Sequence, residues 1–94
     1  MGDVCLITGG ARGIGRETVR LAAANGWDVA INFRERSDAA EALTAEIAST
    51  GRRAVAVRGD VAEESDVVAM FEATERILGP ITGLVNSAGA SWTV

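Results

Sequence analysis

The segment from Thr8 to Gly15, T-G-G-A-R-G-I-G, has the residue types and spacing of a phosphate-binding loop. It follows the apolar run of residues 4–7 and opens a helical pattern that continues to residue 25. Glycine adopts backbone angles closed to other residues and lets a ligand approach without a Cβ in the way. A strand that turns into a helix over such glycines brings backbone N–H groups to the positive end of the helix dipole, which stabilises a phosphate. We therefore predict the pyrophosphate cradle of a dinucleotide-binding unit.

The alternative interpretation of this segment is a purely structural turn, because turns and helix caps also collect glycine. Gly9, Gly13 and Gly15 are spaced G-x3-G-x-G, whereas the standard dinucleotide fingerprint is G-x-G-x-x-G. The strand pattern before the segment and the helical pattern after it count against a simple turn.

The rest of the chain alternates apolar, strand-like runs with amphipathic helical patterns, which is typical of βαβ units on a parallel sheet. Right-handed crossovers then predict the strand order 3-2-1-4, the N-terminal portion of a Rossmann-type, doubly wound α/β fold. The first strand is apolar throughout and is predicted to be buried on both faces. The predicted strands are Val4–Thr8, Asp28–Phe33, Ala54–Arg58 and Gly83–Asn86, and the predicted helices cover residues 13–25, about 37–50 and 64–78.

Each predicted helix has one apolar stripe that should face the sheet. These stripes are Ile14, Thr18, Leu21 and Ala22 in the first helix, Ala40, Leu43 and Ile47 in the second, and Val67, Phe71, Thr74 and Leu78 in the third.

Polar and charged residues follow the predicted strands at the points where the strands end. Arg34 follows strand two, Asp60 follows strand three, and Asn86 begins the turn N-S-A-G after strand four. In an open α/β sheet, ligands bind beyond the C-terminal strand ends, where the winding direction reverses. With the glycine loop after strand one, four strand ends therefore converge on one predicted crevice.

Taken together, these residues resemble the classical short-chain dehydrogenase/reductase family. Thr8 to Gly15 resembles its T-G-x-x-x-G-I-G motif. Asp60-Val61 resembles the pair in which a carboxylate accepts from the adenine amino group and a valine packs beside the ring; the alternative is that Asp60 only begins a turn. Residues 86–89 resemble the family's N-N-A-G turn, with Ser87 in place of the second Asn. The resemblance covers essentially the whole chain but only about the first third of a usual family subunit.

The resemblance also implies roles for the turn after strand four. Asn86 would tie that strand to its neighbours, while Ala88 and Gly89 would lie against the cofactor ribose. No catalytic residue and no metal site is predicted in this chain. The predicted cofactor-binding residues are Gly9, Arg12, Gly13, Ile14, Gly15, Arg34, Asp60, Val61, Asn86, Ala88 and Gly89.

The choice of cofactor can be argued from charge at the end of strand two. An NAD site usually places a carboxylate there for the ribose 2′-hydroxyl, whereas a 2′-phosphate requires a cation. Here Phe33 stands at the acidic position, Arg34 follows it, and Arg12 lies in the glycine loop. In the family that the chain resembles, a basic residue at either position accompanies NADP(H), and two guanidiniums can each form charge-assisted bonds to a phosphate. We predict a preference for NADP(H) over NAD(H).

If the chain is still extended after strand two, the Glu35 side chain should point away from Arg34. The alternative interpretation of Arg12 and Arg34 is that both are ordinary solvated surface charges.

The family's reaction is hydride transfer between NADP(H) and a carbonyl or alcohol. It uses a Tyr as general acid/base, a nearby Lys that lowers the Tyr pKa, and a Ser that positions the carbonyl oxygen. A phenol with a pKa near 10 needs such a cation to act near neutral pH. The sequence contains no tyrosine, lysine or histidine. We therefore expect this chain to be inactive alone and to form the cofactor-binding N-terminal part of an NADP-dependent oxidoreductase.

Composition limits the remaining function classes. The net charge is −4 with no basic run, which argues against a nucleic-acid-binding surface. No apolar run approaches the ~18 residues that span a bilayer, and no secretory signal is recognised. Cys5 is the only cysteine and lies in the first apolar run, as expected of a core residue in a cytosolic protein.

Three explanations of the short chain are open: part of a full reductase, which we favour, a short cofactor-binding or sensing module, and a truncated product without function of its own. Strand four would otherwise have an unpaired edge, which invites association. The full-length protein would act on a small carbonyl or alcohol substrate. It would assemble as a dimer or tetramer, as the family usually does, and the ending of strand two looks most like the ketoacyl-reductase and glucose-dehydrogenase-like members.

Overall fold

The structure, a computed structural model, describes residues 3–9, 13–35 and 37–87. Within these residues strands and helices alternate along the chain, as predicted, and the strand bounds match the predicted ones. The first helix ends at Ala24, one residue earlier than predicted. The elements are β1 Val4–Thr8, α1 Gly13–Ala24, β2 Asp28–Phe33, α2 Ser37–Ala48, β3 Ala54–Arg58, α3 Glu64–Leu78 and β4 Gly83–Asn86.

The described strands form one parallel sheet in the order β3-β2-β1-β4, which confirms the predicted doubly wound α/β topology. In this sheet β1 lies between β2 and β4, with Leu6 opposite both Ala30 and Leu84. Because every strand runs the same way, all four C-terminal ends lie at one edge of the sheet. The loops that follow the strands are therefore neighbours in space.

β1 is buried along its whole length, as its uninterrupted apolar sequence predicts. Its side chains alternate between two cores. Cys5 and Ile7 pack on the face covered by α1 and α2, and Val4 and Leu6 pack on the face covered by α3. Cys5 is buried, as predicted, and burial raises the pKa of its thiol, which keeps the thiol protonated and unreactive.

The predicted inward stripes of α2 and α3 are confirmed. Ala40, Leu43 and Ile47 of α2 are buried, and in α3 Thr74 and Leu78 are buried together with Met70. Val67 and Phe71 are half-buried beside them.

The predicted stripe of α1 is wrong. Ile14 and Leu21 are each 66% exposed, and the buried residues are Gly15, Val19 and Ala23. The buried face lies one residue further along the helix than the predicted stripe, with Thr18 and Ala22 half-buried at its border. The i, i+4, i+8 spacing of the three buried residues was the available signal, and Gly15 and Ala23 let the helix approach the strands closely.

An ion pair on the outer surface links α1 to α2. Arg20 donates from Nε to Glu46 Oε2 over 2.7 Å and from Nη2 to Glu46 Oε1 over 3.0 Å, and it also contacts Glu17 in its own helix. Hydrogen bonding to Arg20 lowers the pKa of Glu46, and the same contact raises the pKa of Arg20. The bidentate geometry joins the exposed surfaces of the two helices at a defined point.

Thr74 is an exception to the packing of α3. Its side chain is completely buried, and no described residue offers its hydroxyl a hydrogen-bond partner. Burying an unpaired hydroxyl costs free energy that an isosteric apolar group does not. We expect Thr74→Val to raise the free energy of unfolding by about 1 kcal/mol, measured by urea denaturation.

Thr44→Val is the matched control, because the Thr44 hydroxyl donates to the Ala40 carbonyl over 2.8 Å within α2. That replacement should give no gain in stability. A Thr74→Val protein no more stable than its parent would show that the buried hydroxyl has a partner after all.

Candidate functional site

The glycine loop begins directly at the end of β1. Gly9 and Gly13 have φ values of 65° and 63°, the left-handed region that favours glycine. An ideal Cβ built on Gly13 meets nothing within 4 Å, so the backbone there faces open space. Gly15 is buried in α1, whose first turn contains no acidic residue, so no carboxylate there opposes an anion. The predicted Arg12 lies outside the described residues.

The loop is held by an asparagine whose role the sequence analysis missed. Asn32, near the end of β2, is only 2% exposed. Its Oδ1 accepts from the Gly9 N–H over 3.0 Å, and its Nδ2 donates to the carbonyls of Gly59 and Val57 over 3.0 and 3.3 Å. One amide therefore connects the ends of β1, β2 and β3. A lone amide within an apolar strand was the signal that could have identified it.

Gly59 allows α3 to approach this amide. A Cβ on Gly59 would lie 2.6 Å from Met70 Sδ, closer than such atoms approach. Met70 Sδ is itself 2.8 Å from Asn32 Nδ2. A side chain at position 59 would therefore have to displace the end of the Met70 side chain from its place beside Asn32.

On the other side of β1, a second group of hydrogen bonds connects β1 to β4. The Thr8 hydroxyl donates to Asn86 Oδ1 over 2.9 Å and accepts from the Ser87 N–H over 3.1 Å. The Ser87 hydroxyl donates to the Thr8 carbonyl. The Asn86 side chain thus joins β4 to β1, while Ala88 and Gly89 lie outside the described residues.

Asp60 lies where β3 turns toward α3. Its Oδ1 accepts from the Ala62 N–H over 2.9 Å, and its own N–H donates to Asp66 Oδ2 in the first turn of α3. Asp60 thus begins a turn, which was the alternative interpretation, and its side chain is still 32% exposed at the crevice. Val61 beside it is 41% exposed and free to contact a ligand.

Arg34 follows β2 with a side chain that is 69% exposed. Its Nε is 3.8 Å from Asp60 Oδ2 and 4.0 Å from Glu35 Oε2. The expectation that Glu35 points away from Arg34 applied to an extended chain, and that condition is not met. The physical reason is that the chain bends at Arg34 and Glu35, so the alternation of an extended strand stops at Phe33.

The described site residues thus lie at the C-terminal edge of the sheet and share it with Ile14 at the start of α1. They offer backbone N–H donors, an arginine and a carboxylate, which suit binding of a nucleotide. Among the described residues no group of three or more His, Cys, Asp or Glu side chains could hold a metal ion.

Comparison with known proteins agrees with this architecture. The family model for short chain dehydrogenases matches residues 3–94. The chain is 40% identical over 90 residues to the uncharacterized oxidoreductase YgfF of Escherichia coli K12, and 41% identical over 87 residues to a 3-oxoacyl-[acyl-carrier-protein] reductase of Synechocystis. These matches cover 96% and 93% of this chain but 36% and 35% of the two relatives.

Solved structures give the same result. A blue fluorescent protein from a metagenomic library, in complex with NADPH, superposes with a TM-score of 0.90 at 41% identity, covering 97% of this chain and 38% of that one. A short chain dehydrogenase from Burkholderia cenocepacia in complex with NADP gives 0.87 at 37% identity, covering 92% and 35%. The chain belongs to the short-chain dehydrogenase/reductase family and spans about a third of the length of the relatives it matches.

Replacement of Asn32 by aspartate should make the stability of the protein depend on pH. In Asn32→Asp, one oxygen can still accept from Gly9, but the other faces the carbonyls of Gly59 and Val57. Burial and these carbonyls favour the protonated acid, so its pKa in the folded state exceeds the unfolded value near 3.9. The variant should be less stable than its parent by about 3 kcal/mol at pH 7, and this deficit should shrink as the pH falls.

Urea denaturation of the variant and its parent between pH 4 and pH 7 tests this. Asn25→Asp is the control, because Asn25 is exposed and its amide donates only to the Leu21 carbonyl among the described contacts. Its cost should stay below about 1 kcal/mol. An Asn32→Asp deficit independent of pH would contradict the assigned hydrogen bonds.

Proposed function

We propose that this chain is the cofactor-binding part of an NADP-dependent oxidoreductase that transfers hydride between NADP(H) and a carbonyl or alcohol. The observation that carries the proposal is the exposed guanidinium of Arg34 at the end of β2, where Phe33 replaces the carboxylate typical of an NAD site. The NADPH and NADP in two related structures, and the 3-oxoacyl reductase among the relatives, support it.

The described residues fit a dinucleotide. The open face of Gly13 and the N-terminus of α1 suit the pyrophosphate, because no Cβ or carboxylate blocks the backbone N–H groups. Asp60 and Val61 are exposed enough to contact an adenine, and Arg34 is placed for a 2′-phosphate. In this proposal Arg12, Ala88 and Gly89 complete the site.

Bound cofactor would supply the hydride, and this chain would supply its orientation. The sequence has no tyrosine, lysine or histidine to move a proton, so we expect no turnover by this chain alone. Because the relatives are about three times as long, the catalytic Ser, Tyr and Lys of the family would come from the remainder of such a protein.

The absence of those residues also favours a second candidate, a non-catalytic NADP(H)-binding or sensing module. The two candidates differ in one requirement: a module must bind the cofactor with these 94 residues alone, whereas the reductase part has the remainder of the protein to complete its crevice. A fluorescence titration of the chain with NADPH, after circular dichroism has shown that it is folded, separates them. Tight binding supports the module.

The proposal also concerns the binding partners and the cellular location of the whole protein. No helix in the described part of the chain is long and apolar enough to cross a membrane. The net charge of −4 opposes binding to nucleic acid. We propose a small-molecule substrate, a cytoplasmic location and a homodimer or homotetramer.

Replacement of both Arg12 and Arg34 by glutamine tests the cofactor preference. A hydrogen bond to a charged group contributes about 1.5–3 kcal/mol, so NADPH affinity should fall about ten- to a hundredfold or more, with NADH affinity nearly unchanged. The measurement is fluorescence titration with each cofactor.

Arg76→Gln, at the exposed end of α3, removes the same charge away from the crevice and should change neither affinity. Equal losses of NADPH and NADH in the double variant would exclude a role of the two arginines in reading the 2′-phosphate.

A further inference from the structure

The side chains around Arg34 do not give this part of the site a net positive charge. Its Nε faces two carboxylates, Asp60 Oδ2 at 3.8 Å and Glu35 Oε2 at 4.0 Å. Both separations exceed hydrogen-bonding distance, so the attraction is ionic rather than a directed bond. Among these three side chains the net charge is −1. A 2′-phosphate, itself close to a dianion, would approach one cation flanked by two anions.

The two carboxylates differ in how firmly they are held. Glu35 has a side chain that is 76% exposed, so it can swing into solvent when a phosphate arrives. Asp60 is held by the Ala62 N–H on its other oxygen, and its backbone is held by Asp66. Asp60 therefore stays within reach of Arg34 while Glu35 can leave.

We propose that Asp60 competes with the 2′-phosphate of the cofactor for Arg34 and thereby reduces the preference for NADP(H) over NAD(H). This inference rests on the proposed function, since it assigns a second effect to a residue of the same site. Asp60 accepts from the adenine of either cofactor, and that contact cancels in a comparison of the two. Its charge acts only against the cofactor that has the phosphate.

Asp60→Asn separates the two effects of the side chain. The amide oxygen can still accept from the Ala62 N–H, while an NH2 group replaces the oxygen that faces Arg34 and the charge is gone. Any loss of an adenine contact affects both cofactors and cancels in their ratio. The ratio of the NADH to the NADPH dissociation constant should rise about two- to fivefold, the range produced by loss of an exposed ion pair. Fluorescence titration of the full chain with each cofactor measures this ratio.

Two further variants test the assignment to Asp60. Glu35→Gln should raise the ratio less, because Glu35 can already move aside. Glu72→Gln removes a like charge more than two turns into α3 and should leave the ratio unchanged. A Glu35→Gln effect larger than that of Asp60→Asn would overturn the inference.

A double-mutant cycle supplies the decisive outcome. In an Arg34→Gln background, Asp60→Asn should no longer change the ratio, because there is no guanidinium to compete for. The same rise in that background would mean general charge repulsion, and an unchanged or lower ratio in Asp60→Asn itself would mean that Asp60 does not compete. Either result overturns the inference while the proposed function stands. An Arg34→Gln protein with the parent's ratio would overturn both the inference and the role of Arg34 in binding the 2′-phosphate.

Discussion

The arrangement at the binding edge depends on the hydrogen bonds of one buried amide. Asn32 has the single acceptor that the Gly9 N–H needs and the donors that the carbonyls of Gly59 and Val57 need. No apolar residue of that size could satisfy both kinds of group, and a carboxylate would satisfy only one. The start of the glycine loop and the end of β3 are therefore placed together by the protein's own hydrogen bonds. Preorganisation of this kind reduces the ordering cost of binding.

The sheet topology could be predicted because local and long-range signals agree. Apolar runs of strand length, helical patterns between them and the handedness of crossovers all require the same arrangement. The inward face of α1 could not be predicted by apolar size, because Gly15, Val19 and Ala23 lie against the strands and Ile14 and Leu21 do not. Helix position depends on how closely the backbones approach, which a count of large side chains does not measure.

Some features of the candidate site could likewise be predicted from the sequence, and others could not. Strand ends converge for topological reasons, so the neighbourhood of Gly9, Arg34, Asp60 and Asn86 follows from order and direction alone. The contacts of Arg34 with Asp60 and Glu35 depend on the bend of the chain after Phe33; the residue pattern predicts that β2 ends there but not where the bend directs these side chains. The structural roles of Asn32 and Thr8 were not predicted from the sequence. Their side chains form hydrogen bonds within the protein, whereas the sequence motifs identify groups that would contact a ligand.

The edge of the sheet opposite the candidate site, where the strands begin, has its own set of hydrogen bonds. There Asp28 is buried at the start of β2, and it accepts from the Arg53 backbone N–H and from Arg53 Nε over 3.2 Å each. Arg53 also donates to the last carbonyl of α3, that of Leu78. These contacts lie at the edge away from the candidate site, so the loops of that site can diverge in sequence without loosening this anchor. A scaffold built in this way can acquire a different cofactor or substrate preference through loop mutations while its fold is inherited unchanged.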